Sequence, residues 1–326
     1  MADSADNKSG RVTAAVLINP LSLRNRRGRQ VRRVTDGARA AGVPVIHASS
    51  PDTFDSALDE LLEIGPEVLV IMAGDGTIQA MVTRLLNRGD SGKLPLLYLV
   101  RGGRTNLTAN DVNRRGWQVG KNLESIFRDG ARSGETITRP VMEVRTGNLP
   151  AEYGFFVAGA VIDRIIRDTH EVRRNKSNGD GRLTTPIQVA RSLMGHMTGR
   201  NRLPAFKAHI RAGKLGEFER PVRILLATSL HRIGKGIDPF ADRGQGRFQF
   251  TAIASGAPRI WRRLPGLLRG QLPPEANARS GYISGLSNEV TIEGMQSFCL
   301  DGEYLEAGPD KQVVIRSGPD IRFLVT

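Results

Sequence analysis

Leu69-Val70-Ile71-Met72-Ala73-Gly74-Asp75-Gly76-Thr77 runs directly into Ile78-Gln79-Ala80-Met81-Val82-Thr83-Arg84-Leu85-Leu86. The apolar run before Gly74 has the character of a strand buried on both faces. After it, Ile78, Met81, Val82, Leu85 and Leu86 recur at helical spacing. A strand therefore feeds a helix through the tight turn Gly74-Asp75-Gly76-Thr77. Such a turn offers an anion close backbone approach at two glycines, the free N–H groups and partial positive charge of a helix start, and the Thr77 hydroxyl. Asp75 is out of place in a passive anion site, because a carboxylate beside phosphate is repulsive unless a divalent cation or a proton lies between them. Its presence points to metal-dependent phosphoryl chemistry. The same pattern also serves as a plain N-cap in α/β proteins, and the turn alone does not separate the two readings.

Working outward, Ala14–Ile18 reads as a strand halted by Asn19-Pro20, since proline cannot continue a central ladder. The basic loop Leu21-Ser22-Leu23-Arg24-Asn25-Arg26-Arg27-Gly28 follows, then a helix to about Ala41. Asn19 and Ser22 suit hydrogen bonds to a nucleotide, and the arginines suit its phosphates, although a solvated basic turn has the same composition. Val43–His47 reads as a second strand and about Thr53 to Ile64 as a helix. His47 has no partner His or Cys at metal-site spacing and reads as an ordinary strand residue. Downstream, the strand Leu96–Leu99 leaves through Val100-Arg101-Gly102-Gly103-Arg104-Thr105-Asn106, a second glycine-rich exit. Alternating strands and helices whose loops gather at the same strand ends define one crevice at the carboxyl edge of a parallel sheet. Two glycine loops at that edge strengthen the nucleotide reading.

The chain of 326 residues is long enough for one large or two medium domains. Lys and Arg number 47 against 33 Asp and Glu, a formal charge of +14 that attracts polyanions. Aromatic residues make up only 5%, which favours nucleotides and anionic lipid headgroups over RNA or DNA. The one cysteine, Cys299, precludes an internal disulfide and fits a reducing compartment; flanked by Phe298 and Leu300, it reads as a packed strand residue. Met1 to Arg11 is polar, without the apolar core of a signal peptide, and reads as a loose tail. Apolar runs such as Pro95–Val100 are too short to cross a bilayer. The expected location is cytoplasmic, with at most peripheral contact at the inner membrane face.

From Glu135 the pattern changes. Thr136–Thr138, Val141–Val144, Tyr153–Val157, Val222–Leu226, Phe248–Phe250, Thr291–Glu293 and Ser297–Leu300 read as strands bounded by turn residues, an antiparallel, β-rich region. Inserted helices are expected at about Ala158–Arg174, Pro186–Met197 and Pro258–Arg269. In the third, Ile260, Trp261, Leu264, Leu267 and Leu268 share one face and arginines take much of the rest. An interfacial helix has this pattern, and so has a helix packed on a sheet; Pro265-Gly266 weakens it in either case. Near the end, Asp301-Gly302-Glu303 sits between the strand Ser297–Leu300 and Lys311–Arg316, either as a simple hairpin turn or as the carrier of a general base.

The spacing of Asn19-Pro20-Leu21-Ser22, Gly74-Asp75-Gly76-Thr77, Gly102-Gly103-Arg104-Thr105-Asn106 and Asp301-Gly302-Glu303 resembles the diacylglycerol kinase catalytic family, which includes bacterial lipid kinases and sphingosine kinases. The resemblance runs from about Val12 to the C-terminus. It implies an ATP-binding α/β domain with a parallel sheet, related to phosphofructokinase and NAD kinases, over residues 12–134 with 310–326 returning. It also implies a C-terminal antiparallel β-sandwich domain, residues 135–309, that shapes a lipid site. The implied reaction moves the γ-phosphate of ATP to a hydroxyl of a diacylglycerol-like or sphingoid lipid, with Mg²⁺. In that picture Gly74, Gly76 and Thr77 cradle phosphates with Asn19, Ser22 and Gln79, while Asp75 helps hold the ATP-bound magnesium. Gly103, Arg104, Thr105 and Asn106 form the opposite wall, and Glu303 accepts the proton of the lipid alcohol. Asp75 is the alternative base, the role sphingosine kinases are usually given for it. The implied partners are the lipid substrate and an anionic membrane surface, with no nucleic acid; a second copy of the chain is left open.

The chain departs from the family at four places. Ala73 stands where a glycine is common, Ala80 replaces an acid in the following helix, Arg104 replaces a threonine, and Leu107 replaces an aspartate. Arg104 still donates to phosphate, more strongly than a hydroxyl. The loss at Leu107 removes part of a family-type metal and water network, and Asp242–Phe248 lacks the Asp-Gly-Leu pattern linked to a structural magnesium in some members. A catalytically weakened nucleotide- or lipid-binding relative is therefore the competing reading. NAD kinase-like activity is a third, disfavoured by length and by the late Asp-Gly-Glu.

Overall fold

The apolar run becomes the central strand of the first unit. In the computed structural model, which describes residues 12–88, 94–113, 119–160, 205–234, 236–258, 260 and 262–326, strand β3 is Val68–Ala73. On one side it pairs in parallel with β1 (Ala14–Ile18), and on the other with β4 (Leu96–Arg101). Beyond β1 lies β2 (Val45–His47), again parallel. Next to β4 the chain's final strand contributes Phe323, opposite Leu97.

The α/β unit comprises Met1–Arg139 and Ile321–Thr326. Its helices are α1 (Arg29–Ala40), α2 (Pro51–Ile64), α3 (Asp75–Asn87), α4 (Leu107–Val112) and α5 (Val119–Asp129). Ala14, Val16, Ile18, Val68, Val70 and Met72 join Val34, Leu123 and Ile126 in one core cluster. The alternate residues Ala15, Leu17, Leu69 and Ile71 are at most 1% exposed. Burial on both faces explains why the run is apolar without alternation, and each large aliphatic side chain so buried contributes about 1.5–3 kcal/mol. Local signals agree with the packing. Helix α2 starts at the Ser50–Thr53 capping box with Pro51 in its first turn, and it stops at Gly65 in the left-handed conformation.

The strand order β2-β1-β3-β4 fixes where a ligand belongs. From β1 the chain winds to one side to make β2, then crosses back over β1 to make β3. In open α/β sheets such a reversal opens a crevice at the carboxyl ends of the two strands that part company. Here those ends are Ile18-Asn19 and Ala73-Gly74.

The second unit, Pro140–Asp320, is antiparallel and rich in strands. Its longest internal strand, β9 (Glu217–Thr228), pairs along one edge with β8 (Phe206–Arg211) and then with β7 (Phe156–Ala160); β10 (Phe248–Ala254) takes the other edge. Strand β5 (Glu135–Thr146), which begins in the first unit, pairs with β6 (Glu152–Gly154). The remaining strands are β11 (Tyr282–Ser287), β12 (Glu289–Glu293), β13 (Ser297–Leu300), β14 (Glu303–Glu306) and β15 (Gln312–Val325), whose last residues belong to the first unit. Along β9, Val222, Leu225 and Ala227 enter one cluster with Phe248, Phe250 and Ile292, while Ile224 and Leu226 enter another with Tyr282 and the buried Cys299.

Two expectations change here. The helix expected from Ala158 is strand up to Ala160, because Val157, Ala158 and Gly159 pair with Ala227, Leu226 and Leu225 of β9, and long-range pairing overrides local preference. The residues beyond it, and the helix expected at Pro186–Met197, lie outside the described residues. The expected helix Pro258–Arg269 shrinks to one turn, α6 (Leu264–Leu267), as its internal Pro265-Gly266 requires. Ile260 and Leu267 of its supposed membrane face are 4% and 5% exposed within the second unit's core. Among the described residues no helix is long and apolar enough to cross a membrane.

Candidate active site

The crevice end of the first unit is built from three loops tied together by polar side chains. Asn19, at the end of β1, is buried. Its Nδ2 donates to Thr77 Oγ1 at 2.8 Å, and its Oδ1 accepts from Leu21 N at 2.9 Å. Ser22 Oγ accepts from Gly74 N at 3.3 Å. The loop after β1 is thus bonded to the turn after β3 at two points. Asn25, which the sequence reading passed over among its arginine neighbours, makes the knot: its Nδ2 donates to Asn19 O at 2.7 Å and to Met72 O at 2.9 Å. A short polar residue inside a basic loop was the available signal.

Gly74 is the N-cap of α3 in an extended conformation, and the helix has no side-chain cap. Its first turn therefore offers backbone N–H groups and the positive end of the dipole. The glycines also answer to each other. A Cβ on Gly103 would lie 2.5 Å from Gly74 Cα, and one on Gly102 would lie 2.8 Å from Ala73 Cα. The two glycine loops touch backbone to backbone, so Gly74 and Gly103 are dictated by this contact besides any approach to an anion. Asn106, left-handed at φ 51 and 1% exposed, closes the second loop: Gly103 N donates to its Oδ1, and its Nδ2 donates to Gly103 O, both at 2.9 Å. Arg104 and Thr105 lie on the outer side of that loop, Arg104 exposed and Thr105 half-buried.

Asp75 joins the two loops. It is 9% exposed, and its Oδ1 accepts from Thr108 N, at the start of α4, at 3.2 Å. Burial pushes its carboxyl up to about 6, against the opposing pull of the N–H groups of Leu107, Thr108 and Asn106. Helix α4 is held further along by Asp111, whose Oδ2 accepts from Arg139 Nε at 2.7 Å in a buried pair. Thr108 Oγ1 and Asn25 Oδ1 are buried without a hydrogen-bond partner among the described residues. Gln79 is buried on α3, and its Nε2 donates to Thr83 Oγ1 at 3.0 Å. Charge at the crevice rim is positive. Arg101 ends β4, and both partial burial and the nearby Arg24 guanidinium lower its affinity for its proton.

Contacts within the first unit thus bring together Asn19, Ser22, Gly74, Asp75, Thr77, Gly103 and Asn106. Glu303 belongs to the second unit, where it opens β14 and is exposed. Beside it Asp301 is buried, left-handed at φ 48, and its Oδ2 accepts from Phe155 N at 2.8 Å.

Magnesium, implied by the family resemblance, meets no fitting cage. Among the described residues no group of three or more His, Cys, Asp or Glu is placed to hold a metal ion, and Asp75 is enclosed and engaged by backbone donors. These residues do not fit a resident metal. A magnesium ion chelated by nucleotide phosphates arrives as part of the substrate and needs no such cage.

Residues 13–138 match the family model of the diacylglycerol kinase catalytic domain. No curated protein matches the chain. Three solved structures from Bacillus anthracis str. Sterne, assigned as diacylglycerol kinases, two of them provisionally, share its fold. They superimpose with TM-scores of 0.63, 0.64 and 0.61 at 12%, 12% and 13% identity, each covering 98% of this chain and 99% of theirs. The strand order, the paired glycine loops and the match to the diacylglycerol kinase catalytic-domain model coincide on one stretch of chain, residues 13–138.

Proposed function

We propose that the chain is a lipid kinase that transfers the γ-phosphate of magnesium-bound ATP to a lipid hydroxyl. The observation that carries this reading is the glycine turn after β3, bonded to the loop after β1 at the strand-order reversal and packed against the second glycine loop, within the residues that match the catalytic-domain model. In this proposal the phosphates lie against the first turn of α3, where backbone N–H groups and the helix dipole stabilise negative charge, with Thr77 and Asn19 fixing the turn. Arg24, Arg101 and Arg104 stabilise the charge that develops on the equatorial oxygens during transfer. Asp75 is the tie that keeps the Gly103–Asn106 wall in place.

An alcohol is a poor nucleophile, so its proton must leave as its oxygen attacks phosphorus. Glu303 is assigned that proton. The new oxygen–phosphorus bond forms as the bond from the γ-phosphorus to the bridging oxygen breaks, and the electron pair leaves with ADP. The acceptor class follows the family; which lipid fits depends on the second unit.

Incubation with γ-labelled ATP, magnesium and a total lipid extract tests the reading, with mass spectrometry of the organic phase. The expected result is label in one lipid class. Nucleotide binding without a labelled lipid would overturn it and support the non-catalytic relative, which Ala80 and Leu107 favour; label in NAD would support the third reading.

A further inference from the structure

The hairpin that carries Glu303 is tied down more firmly than its turn requires. Asp301 and Gly302 join β13 to β14, with Leu300 paired to Glu303 across them, and their φ angles of 48 and 96 are those of a two-residue type I′ turn. Such a turn needs only left-handed backbone at both positions, and its residues ordinarily stand in water. Here Asp301 is 3% exposed. Its Oδ2 accepts from Phe155 N at 2.8 Å, and its own N donates to Phe156 O at 2.9 Å. Gly154 leaves the room: a Cβ there would lie 2.6 Å from Asp301 Oδ2 and 2.5 Å from Leu300 Cδ1.

Phe155 is held in turn from β9. Thr228, 1% exposed at the end of that strand, donates from Oγ1 to Phe155 O at 2.8 Å, and Ser229 N donates to the same oxygen at 3.0 Å. Thr228 Oγ1 also accepts from Leu230 N at 3.1 Å, so the hydroxyl both gives and takes a bond. A line of buried bonds thus runs from Thr228 through Phe155 to Asp301, and it ends two residues before an exposed carboxylate. Buried polar groups joined in this way resist displacement, because breaking one bond leaves its partner unpaired away from water. Hairpin closure does not account for them, since an Asp-Gly turn forms without any buried side chain.

We infer that Thr228 and Asp301 are positioning residues that fix the place of Glu303, with Gly154 kept free of a side chain to admit the Asp301 carboxylate. Neither touches the reacting atoms. A general base acts only when its oxygen is held within about 0.5 Å of the productive place. Among the described residues β14 pairs with β13 alone, so the turn between them sets where its first residue, Glu303, stands. The role depends on the lipid kinase reading, in which Glu303 takes the proton of the alcohol.

Label transfer from γ-labelled ATP to a detergent-dispersed total lipid extract tests this in a double-mutant cycle. Thr228→Val should lower kcat by about ten- to a hundredfold with the KM for ATP unchanged, and Thr228→Ser, which keeps the hydroxyl, should retain most of the turnover. In Glu303→Gln, where no base is left to position, Thr228→Val should change turnover by less than about twofold. Equal losses in both backgrounds would overturn the proposal, since a merely structural residue acts the same with or without Glu303. Hydrogen exchange read by mass spectrometry follows the turn without turnover. Thr228→Val and Gly154→Ala should each speed exchange across residues 299–306 by about tenfold and leave peptides of the first unit unchanged. Unchanged exchange in both variants would also overturn it. If the wild type labels no lipid, the kinase reading fails, while the exchange result still decides whether Thr228 and Asp301 hold the turn.

Discussion

Two turns in this chain set an aspartate against a glycine, Gly74-Asp75-Gly76 in the first unit and Asp301-Gly302-Glu303 in the second, and they treat the aspartate alike and the glycine differently. In both, a buried carboxylate takes a backbone N–H from a segment far away in sequence: Asp75 from Thr108, Asp301 from Phe155. The first turn needs glycine because another backbone, Gly103, presses on it. The second needs it because Gly302 sits at φ +96 with open space around it. Only the second turn adds an acid that is exposed, Glu303. The difference separates a carboxylate held by backbone amides from one exposed to water.

The sharpest way to break this comparison is to exchange the roles. Glu303→Gln should lower kcat by about 10²- to 10⁴-fold, the usual worth of a positioned general base, with the KM for ATP and the melting temperature nearly unchanged. Label transfer from ATP at saturating lipid reads the first, and a thermal melt the last. If Glu303→Gln keeps full turnover while Asp75→Asn loses it, Asp75 is the base and the comparison inverts.

A smaller effect should appear in stability against pH. Burial raises the carboxyl of Asp75 from 3.8 to about 6, so the folded chain holds this proton more tightly than the unfolded chain does. The stabilisation is present at pH below about 4 and is lost as pH rises through about 6. Relative to Asp75→Asn, which cannot titrate there, the wild type should lose on the order of 3 kcal/mol between about pH 4 and pH 7. Urea unfolding of both proteins across that range measures it. A flat difference would mean that the carboxylate is not enclosed as the turn requires.

The α/β half of the fold was legible because a strand buried on both faces and an amphipathic helix leave plain periodicities, as in Val68–Ala73 and the helix after it. The glycine loops were legible as positions but not as a contact, since sequence spacing does not say that Gly74 and Gly103 meet. Asn25 was missed because its partners, Asn19 O and Met72 O, are backbone atoms that no side-chain motif encodes. The last part of β7, Ala158–Ala160, was read as the start of a helix because its conformation follows from β9, more than sixty residues later. That the aspartate of the first turn also accepts from the amides of a helix start thirty-odd residues on was not legible, because sequence spacing does not encode that contact.

The two glycines give the finest test of the comparison, because one substitution probes a contact and the same substitution elsewhere probes a backbone angle. Gly103→Ala drives a methyl to 2.5 Å from Gly74 Cα, and backbone cannot swing aside as a side chain can. It should destabilise by about 1–3 kcal/mol, the range for overpacking, and raise the KM for ATP by parting the loops. Gly302→Ala meets nothing within 4 Å, so its only penalty is a positive φ, about 1 kcal/mol, and the KM for ATP should not move. Gly302→Asn should recover part of that loss, because asparagine tolerates left-handed backbone, whereas Gly103→Asn should be worse than Gly103→Ala. Denaturant unfolding of the four variants decides it. If asparagine rescues neither position or both, the two turns use glycine for the same reason.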